Sequence, residues 1–313
     1  MRNTIALCIP AYNAAWCLPV ILESASKQLI PFNEILVYND CSTDDTEEVA
    51  LRFGAKIISG KKNLGCAYGK NKLAEVATSD WLHFHDADDD LLPNFTGELT
   101  KWIESFGNEY DVLMLNFKYV DKATNTLLGI SDIIKDELRN DPIRYSILHK
   151  LVNFGLYKKS SFTTSGGFDT DKKVLYNEDN AFHQRLALAG LKFDYFQNIT
   201  CINYRYDVSM SQSNGLNCAK ANFHVLKKTS LVVAQQYPKE LVAMLYNCIA
   251  ALSVYQNWNY IKKALKLCKE LGQPHSTSGN PQFNFFTRIN PFAAVWFREK
   301  LIRVFKPNLR NNG

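Results

Sequence analysis

Apolar and polar positions alternate in blocks through the first third of the chain. Ile5–Ile9 is a continuous apolar run. It is followed by apolar residues at Leu18, Ile21, Leu22 and Ala25 within 14–28, the spacing of one helix face. Glu34–Tyr38 predicts a second strand, stopped by the polar cluster at 39–46, which supplies an N-cap for a helix over 47–53. Ala55–Ile58 predicts a third strand, 63–69 a glycine-containing loop, 68–78 a helix and Trp81–His85 a fourth strand. Strands separated by single helices imply βαβ units and a largely parallel sheet. Ligands of such sheets bind where the strands end at their carboxyl side. The polar clusters at 39–46 and 86–90 both fall there and should line one cleft.

The pattern then becomes mixed. A helix is expected near 96–107, a strand at Val112–Phe117, a helix through Ile143–Leu151, a strand at Asn153–Tyr157 and a Gly-Gly-Phe-Asp turn at 166–169. From 216 onward the spacing is helical, with apolar positions recurring across Leu241–Leu271. The expected organisation is an α/β domain over 1–215 and a helical C-terminal region over 216–313.

Charge sharpens that division. After residue 215 there are 14 lysines and arginines against 3 acidic residues, leaving 22 basic and 28 acidic groups before it. The acidic region should hold a cation and the basic one should face something anionic. Eight scattered cysteines without a CxxC pair make zinc and disulfide readings weak and fit a reducing cytosol. No run of about 18 apolar residues is present to span a membrane, and the short apolar N-terminus reads as a strand rather than a signal peptide.

The densest chemical signal is Asp86-Ala87-Asp88-Asp89-Asp90. Carboxylates gathered at a strand end repel one another and call for a counter-charge. A hard divalent cation bound through oxygen, with room left for substrate phosphate, is one solution. A solvated acidic turn or a helix N-cap is the other. His83 and His85, alternating along the fourth strand, read as core or wall residues.

Four segments together resemble family 2 glycosyltransferases, inverting enzymes with the GT-A fold. They are Ile9-Pro10-Ala11-Tyr12-Asn13, Asn39-Asp40-Cys41-Ser42-Thr43-Asp44, Asp86-Ala87-Asp88-Asp89, and Gly166-Gly167-Phe168-Asp169 followed by Glu178-Asp179 and Arg185. The resemblance covers residues 3–215, with 1–95 as the nucleotide-sugar half and 96–215 as the acceptor side. It implies donor contacts from Pro10, Ala11, Tyr12, Asn13, Lys70, Asp86 and Ala87, and recognition of the base by Asp40. It implies Mn²⁺ or Mg²⁺ on Asp88 with Asp86, acceptor contacts from Glu178 and Gly167, and Asp179 as the base that deprotonates the acceptor. Asp89 or Asp90 is left to cap the next helix. Two positions depart from the family pattern. The glycine of the second segment is Cys41, and Tyr204-Arg205-Tyr206 leads to Asp207 where the family often has histidine.

The expected partners are a nucleotide-sugar donor and a glycan or lipid-linked acceptor of surface polysaccharide synthesis. Aromatic and basic residues mixed through 284–306 suit either an anionic membrane surface or packing against the catalytic domain, and imply a cytoplasmic protein peripheral to the inner membrane face. No nucleic-acid motif is present. A nucleotidyltransferase would need a glycine-rich basic loop after the first strand, and Pro10-Ala-Tyr-Asn-Ala is not one. A glycan-binding module with a dead site would not need Asp88 and Asp179.

Overall fold

The computed structural model describes residues 3–206, 214–276 and 280–310. Nine strands form one sheet: β1 (Ile5–Ala11), β2 (Glu34–Asn39), β3 (Lys56–Ser59), β4 (Trp81–Phe84), β5 (Asp90–Leu91), β6 (Val112–Asp121), β7 (Leu127–Ile130), β8 (Gly155–Lys158) and β9 (Phe193–Arg205). The described helices are α1 (Leu18–Ser26), α2 (Thr46–Arg52), α3 (Cys66–Val76), α4 (Phe95–Phe106), α5 (Lys135–Asn140), α6 (Pro142–Leu148), α7 (Lys159–Ser165), α8 (Glu178–Leu188), α9 (Gly215–Val233), α10 (Pro238–Val254), α11 (Trp258–Glu270), α12 (Pro281–Ile289) and α13 (Pro291–Phe305).

Of the described residues, those within Met1–Pro142, Leu151–Thr170 and Arg185–Asp207 form one compact unit. Those within Ile143–Lys150, Asp171–Gln184 and Val208–Gly313 form a second.

The first unit holds the sheet, in the order β3-β2-β1-β4-β8-β6-β9-β5 with β7 on β6. The pairs β3–β2, β2–β1 and β1–β4 are parallel, as the strand–helix alternation implies. The other half is mixed: β8 runs antiparallel to β4 and β6, while β9 runs parallel to β6. Every residue of β1 and β4 is buried on both sheet faces, which is why these segments read as unbroken apolar runs rather than alternating ones. β9, thirteen residues with polar positions near its middle, left no such signature.

The second unit is helical. α9, α10 and α11 bury Phe223, Leu226, Leu245, Ile249, Ile261 and Cys268. The apolar spacing across 241–271 belongs to two helices, because the chain breaks at Gln256, which has φ 49°, and Asn257 caps α11 by accepting from the Tyr260 amide.

Cys41 adopts φ 64°, the left-handed region that glycine enters freely and a side chain enters at a cost. The thiol is exposed and free, so a substitution there loses no packing. Cys41→Gly is expected to raise unfolding free energy by about 1 kcal/mol, measured by urea denaturation. Unchanged or lowered stability would show that the turn carries no such strain.

Candidate active site

The ends of β1 and β2 are laced together. The Asn13 amide donates to Ser42 Oγ at 2.9 Å, and Asn13 Oδ1 accepts from the Thr43 amide at 2.8 Å. The Ala14 amide reaches Thr46 Oγ1 at 2.8 Å and the Ala15 amide reaches Asp44 Oδ2 at 3.1 Å. The polar run 39–46 is therefore a clamp on the β1 loop as well as the lead-in to α2. Pro10 and Ala11 are buried in β1, Asn13 is half-buried and Tyr12 is exposed.

Asp40, just past β2, is 4% exposed. Its two oxygens accept from the Leu64 amide at 2.9 Å and the Gly65 amide at 2.7 Å, fixing the loop that opens α3. An ionised carboxylate has about four acceptor positions, so further capacity remains.

β4 delivers the acidic cluster. His83 and His85, both fully buried, point along one face and form a chain. His83 Nδ1 lies 2.8 Å from the Gly155 carbonyl and His83 Nε2 lies 2.9 Å from His85 Nδ1. Burial pushes His83 down to about 4 and holds His85 well below the ordinary imidazole value, with His83 and Lys70 adding to the effect on His85. Both rings are neutral. His83 must donate to the carbonyl and accept from His85, which leaves His85 Nε2 as a buried acceptor without a partner.

Beyond them the carboxylates part company. Asp86 is half-exposed, and Lys70 Nζ, only 1% exposed, stands 3.4 Å from its Oδ1 and 5.2 Å from the Phe168 ring. Asp89 is 2% exposed and accepts from Asn203 Nδ2 at 2.8 Å and the Tyr204 amide at 2.9 Å. Asp90 lies in β5, paired with Ile202, and accepts from the Leu91 amide. Neither Asp89 nor Asp90 caps α4, whose N-cap is Asn94 without a side-chain cap bond. They fasten β9 to the acidic loop instead.

Asp88 draws on its own backbone amide. Burial first, then repulsion from Asp86, pushes it up to about 6, with Arg205 opposing. Tyr206, edge-on to the exposed Trp16 at 5.2 Å, donates its hydroxyl to the Asp88 carbonyl. Arg205, Tyr206 and Trp16 were not singled out as site residues from the sequence; the only signal was the Tyr-Arg pair. Asp207 lies outside the described residues.

Gly166 and Gly167 have φ 81° and 63°. A Cβ on Gly167 would stand 2.5 Å from Asn71 Oδ1. Asn71 uses that close approach to bond both the amide and the carbonyl of Phe168, and Arg185 donates to the carbonyls of both glycines. The turn thereby props Phe168 under Lys70. Glu178 and Asp179 are half-buried in the first turn of α8, in the second unit, where the helix N-terminus favours their negative charge. In the first unit Lys70 meets Asp86 beside Asp88 at the end of β4, and Asp40 follows the parallel strand β2; Glu178 and Asp179 belong to the second unit.

Asp86 and Asp88 form an all-oxygen set in which the Asp86 charge raises the proton affinity of Asp88. A hard divalent cation suits such a set. Among the described residues, the one group of three ligand atoms within 4.8 Å of one another is His83, His85 and Cys201, softer in character and wholly buried.

The family described as glycosyl transferase family 2 matches residues 6–168, just over half of the chain. The chain belongs to that family. An uncharacterized glycosyltransferase of Rickettsia typhi is 26% identical over 195 residues, and the match spans 61% of this chain and 61% of that relative. The putative glycosyltransferase EpsH of Bacillus subtilis is 23% identical over 256 residues, spanning 76% of this chain and 72% of that one. Residues 1–349 of S. aureus TarS, in complex with UDP-GlcNAc, superpose with a TM-score of 0.64 at 15% identity, covering 96% of this chain and 91% of that one. The mannosyltransferase PcManGT from Pyrobaculum calidifontis, in complex with GDP-Man and Mn²⁺, gives 0.57 at 15% identity, with 98% and 82% covered. The likeness to these two is one of fold, and it is the mixed α/β GT-A architecture that the four sequence segments imply for the family 2 chain.

The raised Asp88 gives a stability test. Its folded pKa of about 6 exceeds the ordinary 3.8, so its contribution to stability is present at low pH and is lost as pH rises through 6. In metal-free buffer Asp88→Asn should stabilise the protein by up to about 3 kcal/mol above pH 6. The gain should vanish near pH 4, measured by thermal melts across pH. An advantage independent of pH would contradict this electrostatic origin.

Proposed function

We propose that the protein transfers a sugar, with inversion, from a nucleotide-diphosphate sugar to a glycan or lipid-linked acceptor, with a UDP-sugar as the preferred donor. The observation that carries this reading is the Lys70–Asp86 contact beside Asp88 at the carboxyl end of β4, with Asp40 at the carboxyl end of the parallel strand β2, where sheets of this kind bind ligands. Family membership supports the reaction class, and the donors bound to TarS and PcManGT support the donor class.

Each residue then has a task. Asp40, oriented by the Leu64 and Gly65 amides, accepts an N–H of the base with its remaining lone pairs. Pro10, Ala11, Tyr12 and Asn13 form the wall beside it, and Asp86 and Ala87 face the ribose and diphosphate. Lys70 is a buried point charge for the diphosphate, kept in place by Asp86 and Phe168. Asp88 with Asp86 would hold Mn²⁺ or Mg²⁺, which when bound would supply neutralising charge to the diphosphate. Asp179 takes the proton of the acceptor hydroxyl as that oxygen forms its bond to C1 and the nucleoside diphosphate departs from the opposite face. Glu178 and Gly167 lie on the acceptor side. Residues 1–95 serve the donor, 96–215 the acceptor, and the basic region from 216 an anionic membrane surface. On this reading the enzyme works at the cytoplasmic face of a membrane, in surface polysaccharide synthesis.

Release of nucleoside diphosphate from a panel of nucleotide sugars, with Mn²⁺, with Mg²⁺ and with chelator, tests the reading. Turnover should require metal and favour UDP-sugars. If no donor is turned over and none raises the melting temperature with metal, the reading fails. Asp88→Asn should abolish metal-dependent donor binding in calorimetry. Asp179→Asn should keep donor binding while lowering transfer by 10²-fold or more, on the order of the loss of a general base. Transfer that persists in that variant would reject Asp179 as the base.

A further inference from the structure

α12 and α13 turn apolar side chains outward. Phe285, Phe286 and Ile289 on α12 are 57–69% exposed, and Phe297, Leu301 and Val304 on α13 are 41–69% exposed. α13 has a second apolar face, through Ala294 and Val295, which is buried where the helix packs with α10 and α11. The outward face is therefore not a misfit of the core but a separate surface. Between the two helices runs a groove of about 630 Å³, lined chiefly by Phe283, Phe286, Ile289, Ala293, Phe297 and Leu301.

Both helices are firmly built. Each begins Asn-Pro, and the side chains of Asn280 and Asn290 cap them by accepting from the Gln282 and Ala293 amides. A contiguous outward apolar surface of this kind marks an interaction site.

Charge selects the occupant. Residues 280–310 hold six cationic side chains and one acid, Glu299. Glu299 is 3% exposed and is consumed by Arg303 and Arg310, each at 2.9 Å. The exposed charges that remain in the segment are Arg288, Arg298, Lys300 and Lys306, all positive. Arg298 lies over the Phe283 ring at 5.0 Å and Lys300 over Trp296 at 5.6 Å, so both cations sit against aromatic surface. No described helix is long and apolar enough to cross a membrane. α13, at fifteen residues, is about 22 Å long, short of a hydrocarbon core of about 30 Å. Apolar surface rimmed by unopposed cations on short helices matches a segment lying in the plane of an anionic leaflet.

We propose that α12 and α13 dock on an anionic phospholipid leaflet, with the groove between them receiving an acyl chain and Arg288, Arg298, Lys300 and Lys306 meeting headgroup phosphates. This specifies the membrane partner of the functional reading above and rests on it. A second copy of the chain is the competing occupant.

The full chain is tested by co-sedimentation with phosphatidylcholine vesicles containing or lacking phosphatidylglycerol. Binding should be at least about tenfold tighter to the anionic vesicles, at about 1 kcal/mol per surface cation, and should weaken with salt. Phe297→Ser/Leu301→Ser should lower partitioning at least about tenfold, and Arg298→Glu/Lys300→Glu should remove the preference for anionic lipid. Unchanged melting temperatures establish that the variants fold. In the unaltered chain, brominated acyl chains should quench Trp296 fluorescence, identified by comparison with Trp296→Phe. Absence of binding, equal binding to both vesicles, or no quenching overturns the proposal. So does a serine variant whose only effect is to dissociate a dimer. Donor turnover in vesicle-free buffer, followed in the same variants, separates failure of this proposal from failure of the glycosyltransferase reading.

Discussion

Three carboxylates at the end of β4 cannot all be charged and close without compensation, and much of the first unit is arranged around that constraint. At an effective dielectric near 20, like charges 4 Å apart repel by about 4 kcal/mol. The fold answers differently for each. Asp86 meets Lys70, and Asp89 is taken up by Asn203 and the Tyr204 amide, so that its repulsion is converted into attachment of β9. Asp88 is left with its proton affinity raised. That sorting commits Asp89 to the fold and distinguishes it from Asp86 and Asp88, the pair proposed to hold a metal.

The compensation reaches further than the acidic loop. Lys70 is buried, and a buried ammonium needs a partner and a firm seat. Its seat is the Phe168 ring, which Asn71 holds by both backbone groups, which in turn needs the close approach that Gly167 permits. The Gly-Gly-Phe-Asp turn therefore has a structural reason to exist besides any contact with an acceptor. On the other side, the lacing of the β1 loop to the 39–46 clamp holds the edge where Asp40 stands, with Cys41 carrying the backbone strain of that clamp. Rigid support from loops that are bonded to one another is what a preorganised site requires.

The C-terminal helices obey a different constraint. On a helical wheel, α13 does not separate basic from apolar residues, which left packing and membrane contact as equal readings. The structure removes the conflict because the helix has two apolar faces, one spent on α10 and α11 and one left outside. A single wheel averages them, and the moment of the sum says little about either.

What the chain alone determined is the part that rests on local periodicity and on motif chemistry. β1 and β4 were legible because strands buried on both faces form unbroken apolar runs, and α1 because Leu18, Ile21, Leu22 and Ala25 form one buried stripe. The four family segments were legible because their residue types and spacing stand in a short stretch of chain. The tertiary structure alone decided what depends on distant partners. It made Asp89 a fastening for a strand more than a hundred residues away, and it gave Arg205 and Tyr206 to Asp88. It divided the apolar spacing of 241–271 at Gln256 and split the faces of α13 between core and surface. Periodicity reports which side of an element is apolar; only packing determines which apolar side is used, and which of several identical carboxylates is tied into the fold by distant partners.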